Sequence, residues 1–393
     1  MTPSVTSPSR AVLARATALV PQLRESAMAT EQARRVLPET FEALSRAGIF
    51  RMTAPKKYGG EEVDFQTQCD VLAEIARGCP STSWVATIFS AMSWLAGTYP
   101  DEAQEEIFAD GDPRISGVFS PTGTAVRKDG GFVVNGRWGF NTGGQGSRWT
   151  VLNTILTEGD GLPLCVLART ADLDRLDDWN ASGMAGTGSH TVVAKDVFVP
   201  GYRAVPLPDL VEGRGAATRH TASHPNFNLP LAPVLIVNGG GTPLGTARGA
   251  YETFMERLPG RPIAYTNYTN RAEAAVTHLQ VGEASLILDS CDAHVRRATA
   301  LLDGPGATSL SVLDRVRSRA HITFATGLAR RAVDILFNAS GASSIQPHIP
   351  IQRFQRDIQA LANHAVMHMQ TGTELYGRVL CGLEPNTPLY RTT

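Results

Sequence analysis

The chain has 393 residues, a formal net charge of −1, 42% hydrophobic residues and 19% charged residues, an ordinary globular composition. The near-zero charge argues against a broad surface for nucleic acid or acidic membranes. The five cysteines show no CxxC spacing, and no uninterrupted apolar run could span a bilayer. We therefore expect a reduced, cytoplasmic protein without a disulfide framework or a cysteine zinc site.

Residues 1–112 are predicted to form an α-helical domain. Pro38 suits the first turn of a helix, and Phe41 and Leu44 follow at helical spacing before Gly48. Ser81 is predicted to cap a further helix. That helix carries large apolar residues on one face, namely Trp84, Ile88, Met92 and Leu95.

Residues 113–206 are predicted to form a β domain. Short β-rich runs alternate here with glycine-containing turns, such as 129–131 and 135–136. Regular short strands of this kind predict a small barrel or a sandwich of roughly one hundred residues.

Residues 207–393 are predicted to form a loop followed by a helical domain. The stretch 207–232 is polar and rich in proline and glycine, which indicates a linker or a mobile loop. Four long helical patterns follow at about 240–257, 266–303, 309–338 and 351–382. Short connections between them predict an antiparallel four-helix bundle. The expected fold class is therefore α+β, with a helical domain, a β-barrel and a four-helix bundle.

Four motifs carry a resemblance to a known family. They are FRMTAPKKYGG at 50–60, FSPTGTA at 119–125, NGRWGFNTG at 135–143 and RFQRD at 353–357. In this order they resemble the acyl-CoA dehydrogenase family over nearly the whole chain. The sequences of the last three motifs are similar to those in one branch of the family, the oxygenase components of two-component flavin-dependent monooxygenases. That branch includes hydroxyphenylacetate and steroid hydroxylases, dibenzothiophene monooxygenases and indole hydroxylases.

The resemblance implies a cofactor, partners and a reaction. The protein would take reduced FMN or FAD from a separate NAD(P)H-dependent flavin reductase. Molecular oxygen would add to form a C4a-hydroperoxyflavin, and one oxygen atom would then hydroxylate an aromatic or heteroaromatic small molecule. The resemblance also implies a homotetramer in which the flavin tail crosses a subunit interface.

The matched motifs also imply the residues that contact the flavin. Asn141 and Thr142 are expected to act on the flavin ring, with the Thr142 hydroxyl near N5. The other expected ring contacts are Phe119, Ser120, Trp138 and Phe140, although Trp138 and Phe140 could instead pack the β domain. From a neighbouring subunit, the flavin tail would meet Arg261, Ser340, Gly341 and Ser343, although Arg261 could instead be a surface arginine and 340–344 a helix-ending turn.

His364 is the expected polar group facing the substrate, because the resembled oxygenases carry a histidine there and its pKa lies near neutrality. His368 follows four residues later and is expected on the same helical face. Met92 stands where the hydroxylases often carry a second histidine, and a thioether is no acid or base. The residues expected to contact the substrate are Met92, Trp84, His368 and Phe227.

Alternative functions remain open. In acyl-CoA dehydrogenases a catalytic carboxylate commonly stands where this chain has Ala365, and residues 232–251 contain no Asp or Glu. An amine or amino-sugar N-oxygenase, an acyl-CoA dehydrogenase and a non-catalytic flavin-binding homologue are the alternatives. The pairs His220–His224 and His364–His368 have a metal-compatible spacing but lack a third ligand, so no metal site is expected.

Overall fold

The computed structural model describes residues 7–215 and 224–390. Between Pro8 and Ile107 it forms five α-helices and two short 3-10 turns, so this part is helical, as the sequence predicts. Ser7 caps the first helix and Asp64 caps the third, where the Asp64 carboxylate accepts a hydrogen bond from the Thr67 N–H at 2.8 Å. The helices are α1 Pro8–Ala33, α2 Pro38–Arg46, α3 Phe65–Gly78, α4 Pro80–Ala96 and α5 Asp101–Ile107.

Helix α4 is the central element of this part. Every one of its residues except Ile88 is buried, so the helix is surrounded by protein on all sides. It packs against α3, the first strand of the sheet and two later helices, Leu231–Asn238 and Gly241–Glu256. The predicted cap at Ser81 is wrong: Cys79 is the N-cap and Pro80 occupies the first turn, where a missing N–H costs nothing.

The β domain is one seven-stranded sheet in the order β5-β6-β2-β1-β3-β4-β7. Its β1–β3 pair is parallel and the other five pairs are antiparallel. The described ladders leave β5 and β7 as edges, so a closed barrel is not confirmed; these strands have two and three residues. The strands are β1 Ile115–Lys128, β2 Gly131–Trp138, β3 Trp149–Leu156, β4 Pro163–Arg169, β5 Asp174–Arg175, β6 Val192–Pro200 and β7 Ala204–Pro206.

Helices make up most of the remaining chain. In the predicted loop 207–232, the described residues include α6 and a 3-10 turn that buries Phe227; His220 lies outside the described residues. The helix α10 packs against α8, α9, α11 and α12. The helices are α6 Leu207–Val211, α7 Leu231–Asn238, α8 Gly241–Glu256, α9 Ala275–Asp303, α10 Val312–Ala339, α11 Ile351–Ala362 and α12 Met369–Leu380.

Two helix predictions are wrong in extent. The predicted 266–303 helix begins only at Ala275, because the Asn270 side chain caps a short 3-10 turn before it. The predicted 351–382 helix is broken between Ala362 and Met369. There the His364 N–H bonds to the Leu361 carbonyl, three residues back, and Val366 N–H donates to His364 Nδ1 at 3.4 Å. His364 and His368 therefore do not share a helical face.

One buried carboxylate connects the sheet to the last helices. Asp357 on α11 is buried, and its Oδ1 accepts a hydrogen bond from Met184 N–H at 2.5 Å. Burial raises the pKa of Asp357 to about 6. One residue earlier, Arg356 bonds to the Ser182 carbonyl at 2.7 Å and pairs with Glu31 of α1 at 2.5 Å. The RFQRD motif therefore connects all three parts of the chain.

Candidate active site

A cavity of about 680 Å³ lies where α4, the sheet and the α11–α12 turn meet. This size is within the usual range for small-molecule sites. The α4 side chains that line it recur every three to four residues, so they lie on one face of the helix. They are Trp84, Thr87, Ile88, Ala91 and Met92.

Met92 forms the wall nearest to the sheet. A Cβ atom at position 117 would lie 2.4 Å from Met92 Sδ, so the close approach of α4 to β1 requires Gly117. Met92 is 2% exposed and contributes to the main hydrophobic core as well as to the cavity.

The sheet contributes residues from an irregularity in β1. The register between β1 and β3 shifts between Val118 and Gly123, so the intervening residues leave the regular ladder. The Phe119 carbonyl accepts a hydrogen bond from Asn153 Nδ2 at 2.9 Å. Phe119 and Ser120 line the cavity, together with Pro121.

The turn after β2 contributes Phe140 and Thr142. Phe140 has a positive φ of 63°, a conformation that costs a bulky residue energy, and its side chain is 73% exposed. Its ring meets Trp179 edge-on at 6.0 Å. A second cavity of about 240 Å³ shares Phe140 and Gly139 with the first. The Thr142 hydroxyl lies 2.9 Å from the Ser189 hydroxyl.

Two of the expected flavin contacts do not line the cavity. Trp138 is fully buried inside the sheet, and its indole N–H donates to the Asn153 carbonyl at 2.8 Å. The Asn141 amide packs beside Gly144, and both of its polar atoms are buried without a hydrogen-bond partner. Asn141 shapes the turn through its backbone, since its N–H bonds to the His190 carbonyl at 3.0 Å.

His364 lines the cavity from the α11–α12 turn and meets the edge of Trp84 at 5.1 Å between ring centroids. His364 is an exposed residue, because the cavity is open on this side, although protein atoms lie close around the ring. Desolvation by these atoms lowers the pKa of His364 to about 4. The ring is therefore neutral at physiological pH.

Two expected substrate contacts lie elsewhere. His368 is the N-cap residue of α12 and does not line the cavity. Phe227 is 3% exposed and packs against Gly97 near the end of α4. Sequence spacing alone could not show this, because both positions depend on turns that interrupt the predicted elements.

The cavity has no charged wall. Among the described residues that line it, none is Asp, Glu, Lys or Arg, and His364 is the one ionisable side chain. Ala365, at the position expected for a dehydrogenase carboxylate, lines the cavity as well. The described lining therefore provides no carboxylate base for removing a proton from the α-carbon of a thioester.

A separate cluster of positive charge lies around Arg261. Arg257, Arg261 and Arg271 line one small cleft together with Ser340 and Ser343. In the described part of the chain, none of the three arginines forms a salt bridge. Burial and the neighbouring Arg261 lower the pKa values of Arg257 and Arg271. Sequence analysis missed Arg257 and Arg271, because an arginine-rich composition hides such a cluster until the chain folds.

Two further findings concern metals and membranes. Across residues 7–215 and 224–390, no group of three or more potential metal-binding side chains comes together. No described helix is both long enough and apolar enough to cross a bilayer.

Comparison with known proteins gives consistent matches. Residues 10–109 match the family model "Acyl-CoA dehydrogenase, N-terminal domain", and residues 240–369 match "Acyl-CoA dehydrogenase, C-terminal domain". The chain is 32% identical to the oxygenase component of an FADH(2)-dependent resorcinol hydroxylase from Rhizobium sp. (strain MTP-10005), covering 98% of this chain and 97% of that protein.

Solved structures agree with these matches. The HsaA monooxygenase from M. tuberculosis superposes with a TM-score of 0.87 at 30% identity, covering 97% of this chain and 99% of that one. XiaF from Streptomyces sp., solved in complex with FADH2 and glycerol, gives a TM-score of 0.89 at 30% identity, covering 97% of both chains. This chain therefore belongs to the flavin-dependent monooxygenases, as an oxygenase component of the two-component type built on the acyl-CoA dehydrogenase fold.

Proposed function

We propose that this protein binds reduced FMN or FAD in the cavity beside α4 and hydroxylates a phenol-like or indole-like small molecule. A separate NAD(P)H-dependent reductase supplies the flavin. When bound there, the reduced flavin would supply the two electrons with which molecular oxygen gives one atom to the substrate and the other to water. The observation that carries the proposal is a mostly apolar cavity with one neutral imidazole and no carboxylate.

The lining fits a flavin ring system. Phe119 and Phe140 offer apolar surface to a planar ring, while the hydroxyls of Ser120 and Thr142 can bond its polar edge. The strained, exposed Phe140 is the kind of feature that a bound ligand covers. The smaller cavity that begins at Gly139 gives the rest of the flavin a continuous path.

Neutral His364 is proposed to bind the substrate. A ring nitrogen without a proton can accept a hydrogen bond from a substrate hydroxyl or N–H, and the other nitrogen can donate one. Met92 stands on the α4 wall and supplies only apolar contact. Trp84, in contact with His364, provides an aromatic wall for a planar substrate.

Thr142 is proposed to stabilise the oxygen-activating state of the flavin. Its hydroxyl is held by Ser189, which in turn lies 2.7 Å from the Thr187 hydroxyl. A hydroxyl held in this way is preorganised, so it loses little freedom when it bonds a ligand. Asn141 is proposed to act through the turn that presents Phe140 and Thr142.

The arginine cluster is proposed to hold the phosphate of a flavin bound to a neighbouring subunit of a homotetramer. Three guanidinium groups without carboxylate partners attract an anion, and Ser340 and Ser343 add hydroxyl donors. Gly341 has a φ of 78°, and a Cβ added there would lie 3.6 Å from an Nη atom of Arg271. On α9, Leu279 and Leu286 are 75% and 69% exposed, which supports contact with another copy.

The domain boundaries are proposed at 1–112, 113–206 and 207–393. The strands from Ile115 to Pro206 support the middle domain. The packing of α10 against its neighbours supports a four-helix bundle of α8, α9, α10 and the broken pair α11–α12. The sheet is proposed to curve as the flattened barrel of the family. Four free, buried cysteines support a reducing, cytoplasmic setting.

A stopped-flow experiment tests this function. The protein with reduced FAD, and separately with reduced FMN, is mixed with oxygenated buffer and the aromatic substrate. We expect a transient near-ultraviolet absorbance band before the spectrum of oxidised flavin returns, together with hydroxylated product. Oxidation without product for phenols and indoles alike would contradict the proposal. Acyl-CoA added anaerobically to the oxidised holoprotein should leave the flavin spectrum unchanged.

A further inference from the structure

A chain of three buried hydroxyl groups runs from the cavity into the core. Thr87 of α4 lines the cavity, and its Oγ1 lies 2.9 Å from Oγ1 of Thr242 in the first turn of α8. The Thr242 oxygen lies 2.8 Å from Ser83 Oγ, which donates to the Leu72 carbonyl at 2.7 Å. All three side chains are at most 2% exposed, so solvent does not compete for these bonds.

The Leu72 carbonyl fixes the direction of every bond in this chain. A carbonyl only accepts, so the Ser83 hydrogen points to Leu72. Ser83 must then accept from Thr242, whose single hydrogen is thereby used. Thr242 must in turn accept from Thr87. The Thr87 hydroxyl has therefore committed its one hydrogen to the core and offers only lone pairs to any other partner.

The position of Thr87 is also fixed by its backbone. Asn238, at the end of α7, donates to the Thr87 carbonyl at 2.8 Å, and its amide oxygen accepts from Ser90 at 3.3 Å. Asn238 is fully buried. Thr87 therefore lines the cavity with a side chain whose hydroxyl hydrogen is held by the core, so a ligand donor that reaches Oγ1 meets only its lone pairs. No described lining carboxylate competes for that donor.

We propose that Thr87 Oγ1 selects substrates that carry a ring-bound hydrogen-bond donor, such as a phenolic O–H or an indole N–H. This inference depends on the proposed function for the identity of the cavity as the substrate site. An aromatic molecule of equal size without a donor leaves the buried acceptor unpaired, and a buried site discriminates against such analogues. The uncharged walls further restrict the class to aromatics without a charged substituent.

Binding of indole and of benzofuran to the flavin-loaded protein tests the inference. Benzofuran has the size of indole but replaces the N–H by an oxygen atom. Dissociation constants can be measured anaerobically by calorimetry, without turnover. We expect wild type to prefer indole by about tenfold, the effect of one hydrogen bond in a buried site. Thr87→Val, which keeps the shape and removes the acceptor, should bring the ratio near one.

Ser83→Ala gives an independent readout. Without Ser83, the Thr242 hydrogen turns to Thr87, and the Thr87 hydrogen becomes free to point into the cavity. Removing this distant hydroxyl should also abolish the preference for indole, although Ser83 does not line the cavity. The matched control is Thr246→Val, because the Thr246 hydroxyl bonds only the Thr242 carbonyl, at 2.7 Å. This control should keep the wild-type ratio.

Several results would overturn the inference. An indole preference that persists in Thr87→Val or in Ser83→Ala would do so, as would equal binding of the two ligands to wild type. If Thr87→Val does not fold, the ratio in Ser83→Ala decides. Failure here is distinguishable from failure of the proposed function, because hydroxylation and the oxygen-dependent absorbance transient are measured separately.

Discussion

The cavity beside α4 and the arginine cluster at Arg261 offer a ligand opposite kinds of interaction. Among the described residues, the cavity has no charged wall, and its single ionisable group is a neutral imidazole. The cluster brings three guanidinium groups together and has almost no open volume, about 10 Å³. The first suits a planar ring that is selected by shape and a few hydrogen bonds, and the second suits an anion. A flavin has both parts, so in the proposed assembly the cavity of one subunit and the cluster of its neighbour would divide its recognition between them.

The largest expected effect comes from the imidazole. His364→Ala should lower the yield of hydroxylated product by about a hundredfold, because polar groups that handle a proton or orient a substrate typically contribute that much. The binding of reduced flavin should stay within about twofold. The measurement is product per reduced flavin consumed, with hydrogen peroxide quantified in parallel. Wild-type product yield in this variant would contradict the assigned role.

The second largest expected effect is on FAD binding and comes from the arginine cluster at Arg261. Arg261→Ala should weaken FAD binding by about tenfold, because a charge-assisted contact to phosphate is lost and like charges remain. Riboflavin, which has no phosphate, should bind equally to wild type and variant. Arg127→Ala, at the far end of β1, is a matched control on an exposed arginine. Equal losses for riboflavin and FAD would mean that Arg261 acts on the fold and not on phosphate.

A change in salt concentration tests the same difference between the cavity and the cluster, with a smaller expected effect on binding. Raising the ionic strength from about 0.05 M to 0.5 M should weaken FAD binding several-fold, since counterions screen the arginine cluster. Binding of an uncharged aromatic ligand such as indole should change little, because its cavity has no charged wall. A salt dependence of equal size for both ligands would remove the distinction between the two regions.

The smallest expected effect concerns pH: the contribution of His364 to activity should not change with pH between about 5.5 and 8. Burial lowers the pKa of His364 from its usual 6.5 to about 4, so the ring stays neutral as the pH changes from 8 to about 5.5. The activity ratio of wild type to His364→Gln should therefore be flat over that range. Any stability that neutral His364 contributes is lost only as the pH falls from about 6.5 through about 4. An inflection of the ratio near pH 6.5 would show an ordinary, solvated histidine.

The sequence predicted the features that depend on local pattern. Helical spacing placed Trp84 and Met92 on one face of α4, and both line the cavity. The motifs at 119–125 and 135–143 placed Phe119, Ser120, Phe140 and Thr142 beside it. These residues are near their partners in the chain or in adjacent strands, so pattern and motif order were sufficient.

Features that depend on tertiary contacts were not predictable. Apolar periodicity continues through residues 361–375, so nothing in it marks the break that separates His364 from His368. The positive φ of Phe140 directs Asn141 away from the cavity, and alternation along a strand cannot show that. Thr87 became notable only when α8 brought Thr242 to it, across 155 residues of sequence.

Because Asp357 is held within α11, the length of the helix beyond it sets the position of His364 past the helix end. Asp357 is hydrogen-bonded to Met184, in the segment between β5 and β6, and His364 follows seven residues later, just beyond the helix end. Insertion of one residue between them would rotate the turn by about 100° about the helix axis, and insertion of two full turns would displace it by roughly 10 Å. The number of residues between these two positions therefore determines where His364 lies. An engineer who wants a new substrate range should vary the walls of α4 and leave the length of α11 constant.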